Sequence, residues 1–238
     1  MKLVDWPVGL WARSITPTAG PNSRGSTESI TGDVQTVESP YGLVGLAMEF
    51  PPLQGRAARA FRGLVTALHA GANAVRVPWV DPYQPSYEEL GTSVTKAEEL
   101  GGVTWSNGLP WSNGQNWQVS PPFAAVETAA AVRATVVELD VAAWGGEIYA
   151  GTTFGFVGQF GLYTAKSVTM AGTVATVEIW PSLRKAITTD DYVTLRPVIA
   201  MRLKSSAGGQ FSSDLAAMDS VSLDLIEIPD AVLRANLS

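Results

Sequence analysis

Few residues of the chain are suited to chemistry. It has one histidine, His69, and no cysteine. Thiol nucleophiles, disulfides, cysteine-ligated zinc and iron–sulfur clusters are therefore excluded, and a metal site with two histidines is impossible. A Ser-His-Asp arrangement would have to use His69, yet no Gly-x-Ser-x-Gly or comparable nucleophile context accompanies it. His69 falls in the last turn of an expected helix, where a cation meets the negative helix end. A structural or surface role is the simpler reading. The adjacent acids Glu88-Glu89, Glu98-Glu99 and Asp190-Asp191 offer acid/base or metal chemistry in principle. Neighbouring acids in loops are usually solvated, however, and no calcium-loop pattern is present. The glycines at 151, 155, 158 and 161 lack the Gly-Lys-Ser/Thr of a phosphate loop. They read as bends of a small barrel where backbones approach closely. No catalytic, cofactor-binding or metal-binding residue is assigned, and the chain is read as a non-enzyme with no cofactor.

Two patterns suit contact rather than catalysis. Arg56, Arg59 and Arg62 form a basic row on the expected helix. The row is either a solvated face or a subunit interface that meets acidic loops of a neighbour. The unit Trp105-Ser106-Asn107-Gly108 recurs as Trp111-Ser112-Asn113-Gly114, and Trp117 follows at the same spacing of six. Asn-Gly is a turn signal. Trp105, Trp111 and Trp117 therefore either stack on sugar rings, as in a carbohydrate-binding module on a host surface, or pin a loop onto a β domain.

The composition narrows the partners. The 238 residues carry a net charge of −6; 16% are charged and 46% hydrophobic. That length allows one large domain or two small ones, and so little charge favours a protein buried in an assembly. Neither the N-terminal, the middle nor the C-terminal part is basic, so the footprint of a nucleic-acid binder is missing. No uncharged apolar stretch reaches the length of a membrane span. The N-terminal Met1-Lys2-Leu3-Val4-Asp5-Trp6-Pro7 has no apolar run before an acid and a proline, which argues against a signal peptide.

The elements that must hold these residues are mostly strands. Residues 10–15 alternate loosely, 19–26 carry loop chemistry, and 28–38 read as a bent strand or hairpin. Residues 43–50 form a strand stopped by Pro51-Pro52. A helix is expected over 55–70: Ala57, Phe61, Leu64, Val65 and Leu68 share one stripe, and Gly71 sits where a closing glycine belongs. A short strand follows at 74–79. Residues 81–102 are rich in proline and acid and mark a boundary. Beyond them, strands are expected at 130–141, 147–151, 154–165, 166–170, 173–180, 192–195 and 198–203. Spacing of this kind points to a small barrel or sandwich. Residues 221–228 alternate cleanly, with Val221, Leu223 and Leu225 on one side. This strand is expected to complete the N-terminal sheet, which makes the middle an insertion.

With these elements placed, a larger pattern is visible. The strand ending Glu49-Phe50-Pro51-Pro52-Leu53 leads through Gln54-Gly55 into the Arg/Ala-rich helix Arg56-Ala57-Ala58-Arg59-Ala60-Phe61-Arg62-Gly63-Leu64. That helix ends at His69-Ala70-Gly71-Ala72-Asn73 and enters Val75-Arg76-Val77-Pro78. Trp180-Pro181-Ser182-Leu183-Arg184 and Val193-Thr194-Leu195-Arg196-Pro197 come later. The pattern resembles, over most of the chain, the distal tail proteins of siphophage-like tailed bacteriophages. The resemblance implies a mainly β fold: a ring-forming β-sandwich domain with one flanking helix over 1–92 and 200–238. An inserted β-rich peripheral domain, a small barrel or sandwich of OB or galectin type, would occupy 93–199. It implies a structural virion protein at the distal end of the tail, assembled in the host cytoplasm. Six copies would form a ring between the tail tube protein and the tail-tip hub protein of the baseplate. DNA would pass only in transit through the lumen, with no membrane insertion. The tryptophan repeat lies outside the family pattern.

Overall fold

Alternating apolar residues build the first sheet. In β5 (Gly45–Glu49), Leu46 and Met48 point into a core, and in β6 (Ala74–Pro78) Val75 and Val77 do the same. Ile199, Met201 and Leu203 of β13 (Val198–Leu203) join them, with Val221, Leu223 and Leu225 of β15 (Met218–Glu227). The structure is a computed structural model. It describes residues 1–28, 34–79, 81, 83–86, 88–90, 94–95, 98, 102–104, 106, 108–110, 112, 116–117, 123–145, 148–213 and 217–237, with the backbone alone for 22–28, 34–38 and 213. The sheet runs β1 (Leu3–Asp5), β6, β13, β15, β5, β2 (Ser14–Ala19). β14 (Gly209–Ser213) also pairs with β15. Only β1 and β6 are parallel. β3 (Asn22–Glu28) and β4 (Val34–Ser39) form a separate two-stranded sheet.

Helix α1 (Gly55–Leu68) covers the apolar face of the sheet. Its stripe buries Phe61, Leu64 and Leu68 and packs Ala57 and Val65 at the margin. The helix stops two residues earlier than expected. The backbone turns left-handed at His69 (φ 48°), Ala70 (φ 55°) and Gly71 (φ 91°). Asn73 replaces the missing helical bonds: its backbone N–H donates to Leu68 O at 3.2 Å and its side-chain amide to Ala67 O at 2.8 Å. Leu64 is 2% exposed. Leu64→Ala is therefore expected to lower the unfolding free energy by about 2–5 kcal/mol, as read in a urea melt. A melt equal to that of the wild type would mean that the helix is not packed on the sheet.

The second body is a closed barrel. Its cyclic strand order is β10 (Tyr163–Ala171), β11 (Val174–Trp180), β8 (Val136–Asp140), β7 (Ala124–Thr128), β12 (Tyr192–Thr194), β9 (Thr153–Phe156). Every pairing is antiparallel. Of the shapes left open by the sequence it is a barrel, of six strands where the OB type has five. Trp144, Phe154, Phe156, Leu139 and Ile187 fill it. Gly155 has no room for a side chain, since a Cβ there would lie 2.5 Å from Pro197 Cβ and 2.7 Å from Gly161 O. The barrel strands fall between β6 and β13, which are neighbours in the sheet with Pro78 opposite Val198. Leu90 is buried in the barrel core, so the connector packs with the barrel from its first turns.

The fold is mainly β with one helix flanking the sheet. Several elements differ locally from expectation. The strand expected at 10–15 lies at 14–19 and runs through Pro17, which is tolerated because β2 is an edge strand needing fewer donors. Residues 22–26, expected within a loop, belong to β3. The strand expected from 130 starts at 136, because the chain turns at 132–133 and Arg133 adopts φ 72°. Residues 198–203, expected with the barrel strands, belong to the first sheet. β15 pairs with β5 and β13.

Candidate functional site

The residues singled out by sequence lie in separate places. Arg56, Arg59 and Arg62 are all exposed on the face of α1 turned away from the sheet. The helix carries no acidic residue. Among the described residues, none of the three forms an ion pair. They are a positive strip on a chain of net charge −6.

The opposite side of the sheet differs. At one end Ala74, Ala200 and Ile228 are covered by Leu233 of α2 (Asp230–Asn236) and by Phe160 from the barrel. Arg234 holds that end by bonds to Asp230 at 2.7 Å and to Gly158 O at 2.8 Å. Further along, Glu49 and Arg202 are exposed, while Ala47, Ser222, Asp224 and Ile226 remain half-buried on the same face. Helix and open strip thus give the sheet two unlike surfaces.

The paired acids serve turns. Glu89 Oε2 accepts from the backbone N–H and hydroxyl of Ser86, and Asp191 Oδ2 does the same for Thr188. Glu98 takes the N–H and hydroxyl of Thr95, and these bonds hold its carboxyl below the usual range. Glu99 lies outside the described residues. His69 is exposed at the helix end. Among the described residues, no three His, Asp or Glu side chains gather as a metal centre would require. Of the tryptophan repeat, Trp105 and Trp111 lie outside the described residues. Trp117 is half exposed and bridges to Val103 through two backbone hydrogen bonds of 2.9 Å.

Sequence reasoning missed the most tightly built polar site, where barrel meets sheet. Glu227 ends β15 with its side chain fully buried. One of its oxygens, Oε2, accepts from Arg184 at 2.9 Å and from the Val44 N–H at 2.9 Å. Arg184 also donates to Gly42 O at 2.8 Å, and its backbone N–H reaches the Tyr163 hydroxyl at 3.3 Å. Burial pushes the Glu227 carboxyl above the usual range, against the pull of Arg184 and the Val44 N–H. Burial likewise raises the Tyr163 phenol. Among the described residues, the other oxygen, Oε1, has no hydrogen-bond partner. The signal was present: 221, 223, 225 and 227 share one parity, and only the last is charged. This cluster fastens two bodies, and a cavity of about 800 Å³ opens beside its Gly42 and Arg184. No protein-family model and no curated protein matches the chain.

Proposed function

We propose that the chain is a structural subunit of a ring, the hexameric distal tail ring that joins a tail tube to the tail-tip hub. The observation that carries this reading is the pair of unlike surfaces on the sheet body. A ring needs a heterologous contact, in which one surface of each copy meets a different surface of the next. The arginine strip of α1, with no acid on its own helix, suits an acidic loop of a neighbouring copy. An acidic chain also suits a passage through which DNA must slide without sticking. The barrel, carried on one end of two adjacent strands, projects outward without interrupting the sheet.

Negative-stain microscopy of the purified protein, alone and mixed with tube and hub proteins, tests the reading. Sixfold rings are expected, with an interface on the order of 1,200–2,000 Å² per contact. A monomer under both conditions would overturn it. Exposed ion pairs are worth only about 0–1 kcal/mol each, so the informative variant is the triple change of Arg56, Arg59 and Arg62 to Glu. Rings are expected to be lost in it. Rings formed as readily as in the wild type would reduce the arginine row to a solvated face.

A further inference from the structure

Two adjoining cavities open beside the junction of sheet and barrel, and they share Asp81 and Tyr83. The first, about 480 Å³, lies between the connector and the barrel and is bordered by Gln84, Glu89, Tyr149 and Thr152. The second, about 580 Å³, runs along β2 and is bordered by Trp6, Trp11, Arg13 and Trp79. Both volumes fall within the range of small-molecule sites, roughly 300–1,000 Å³. The aromatic rings here are unusually open to solvent. Tyr83 is 93% exposed, Trp11 66% and Tyr149 63%. Tyr83 and Trp11 border the same cavity, and exposed aromatic surface gathered at a cavity marks a place where something docks.

The ridge between the cavities is rigid. Thr153 Oγ1 on β9 receives the Trp79 indole N–H at 3.0 Å and the Gln84 amide at 2.7 Å, and donates to Asp81 Oδ2 at 3.2 Å. The Gln84 amide also donates to the Thr153 carbonyl. Asp81 Oδ1 accepts from the Tyr83 backbone N–H at 2.9 Å. Four hydrogen-bonding groups from the connector and the barrel thus hold the turn that displays Tyr83, which lowers the ordering cost of binding.

We infer that this double groove binds a neutral oligosaccharide, with sugar rings stacked on Tyr83, Tyr149 and Trp11 and hydroxyls directed to the polar groups of the first cavity. A pyranose presents an apolar C–H face, which suits the electron-rich face of an aromatic ring. Carboxylate and side-chain amide groups beside such rings match vicinal hydroxyls, and Asp81 with Glu89 repels an anionic sugar. A peptide that binds as an added strand would instead need an open strand edge. The neighbouring edge, β2, is interrupted by Pro17 and by a bulge between Pro17 and Ala19. The groove is distinct from the tryptophan repeat, and binding to it does not depend on ring formation.

The test is a tryptophan-fluorescence and NMR titration of the purified chain with cellohexaose, chitohexaose, a hexagalacturonate and a proline-rich peptide. Saturable binding of at least one neutral hexasaccharide is expected, with no binding of the hexagalacturonate. Tyr83→Ala and Tyr149→Ala should each weaken it by about two- to tenfold. Tyr83 lies in solvent, so its removal leaves the fold intact and the comparison valid. The inference is overturned if neither neutral sugar binds, if Tyr83→Ala binds as the wild type does, or if the anionic hexamer binds equally well. Binding of the peptide alone overturns it too and assigns the groove to a polypeptide.

Discussion

Arg184→Ala is expected to lower the unfolding free energy at neutral pH by about 3–5 kcal/mol, the usual cost of leaving a buried charge without its partner. The size follows from burial: the side chains of Arg184 and Glu227 are 11% and 0% exposed. The pH dependence identifies the cause. Burial already raises the Glu227 carboxyl above its ordinary value, and removing the guanidinium raises it further. A raised carboxyl binds its proton more tightly in the folded than in the unfolded chain, so its contribution to stability falls as the pH rises through that window. The deficit of the variant should therefore be greatest at neutral pH. It should shrink as the pH falls toward the ordinary glutamate range, where Glu227 becomes neutral. Denaturant melts across that range decide the matter. A deficit independent of pH would locate the loss in packing of the arginine stem rather than in the stranded charge. Arg184→Ala with Glu227→Gln should recover much of the stability at neutral pH.

Phe154→Ala should cost a similar amount, about 3–5 kcal/mol, for a different reason. Phe154 is fully buried in the barrel, 6.1 Å from both the Tyr163 and the Phe156 ring centroids. Its effect should not vary with pH in the window where Arg184→Ala does, which separates a cavity from a charge. A loss under about 1 kcal/mol would mean that the barrel interior is not close-packed as described.

The sequence made some of this visible and concealed the rest for identifiable reasons. The stripe of Phe61, Leu64 and Leu68 has a period that only a helix satisfies, and the hairpin expected over 166–180 had a turn signal at Ala171-Gly172. Both elements occur, the helix ending at Leu68 and the hairpin starting earlier, at Tyr163, with its turn one residue later. Residues 22–26 were hidden because Asn, Ser and Gly signal turns, yet the backbone of a two-stranded ribbon asks only for extended conformation. Residues 198–203 show why a strand pattern alone does not place a strand: alternation identifies two faces but not which sheet supplies the neighbours. The junction cluster joins Gly42, Val44, Tyr163, Arg184 and Glu227, spread over most of the chain, and no local spacing brings them together. The arginine row was legible in position and exposure, whereas the Asp81–Tyr83 ridge depends on a contact between Thr153 and a turn some seventy residues earlier.

The insertion of the barrel between β6 and β13 has a consequence for synthesis. Each barrel strand finds its partners within the segment from Ala124 to Thr194, so this body can complete itself soon after it leaves the ribosome. The sheet cannot. β5 and β6 emerge early with the helix that covers them, but β13 and β15, which must pair with them, come after the barrel. Contacts so distant along the chain close slowly. The nascent protein therefore holds half of an unfinished sheet, with unpaired strand edges, while a finished barrel stands between it and its missing half. Strands in that condition are open to pairing with the wrong chain. The expressed protein is accordingly most prone to aggregate during translation, and slower elongation before β13 would prolong the exposure of its first strands.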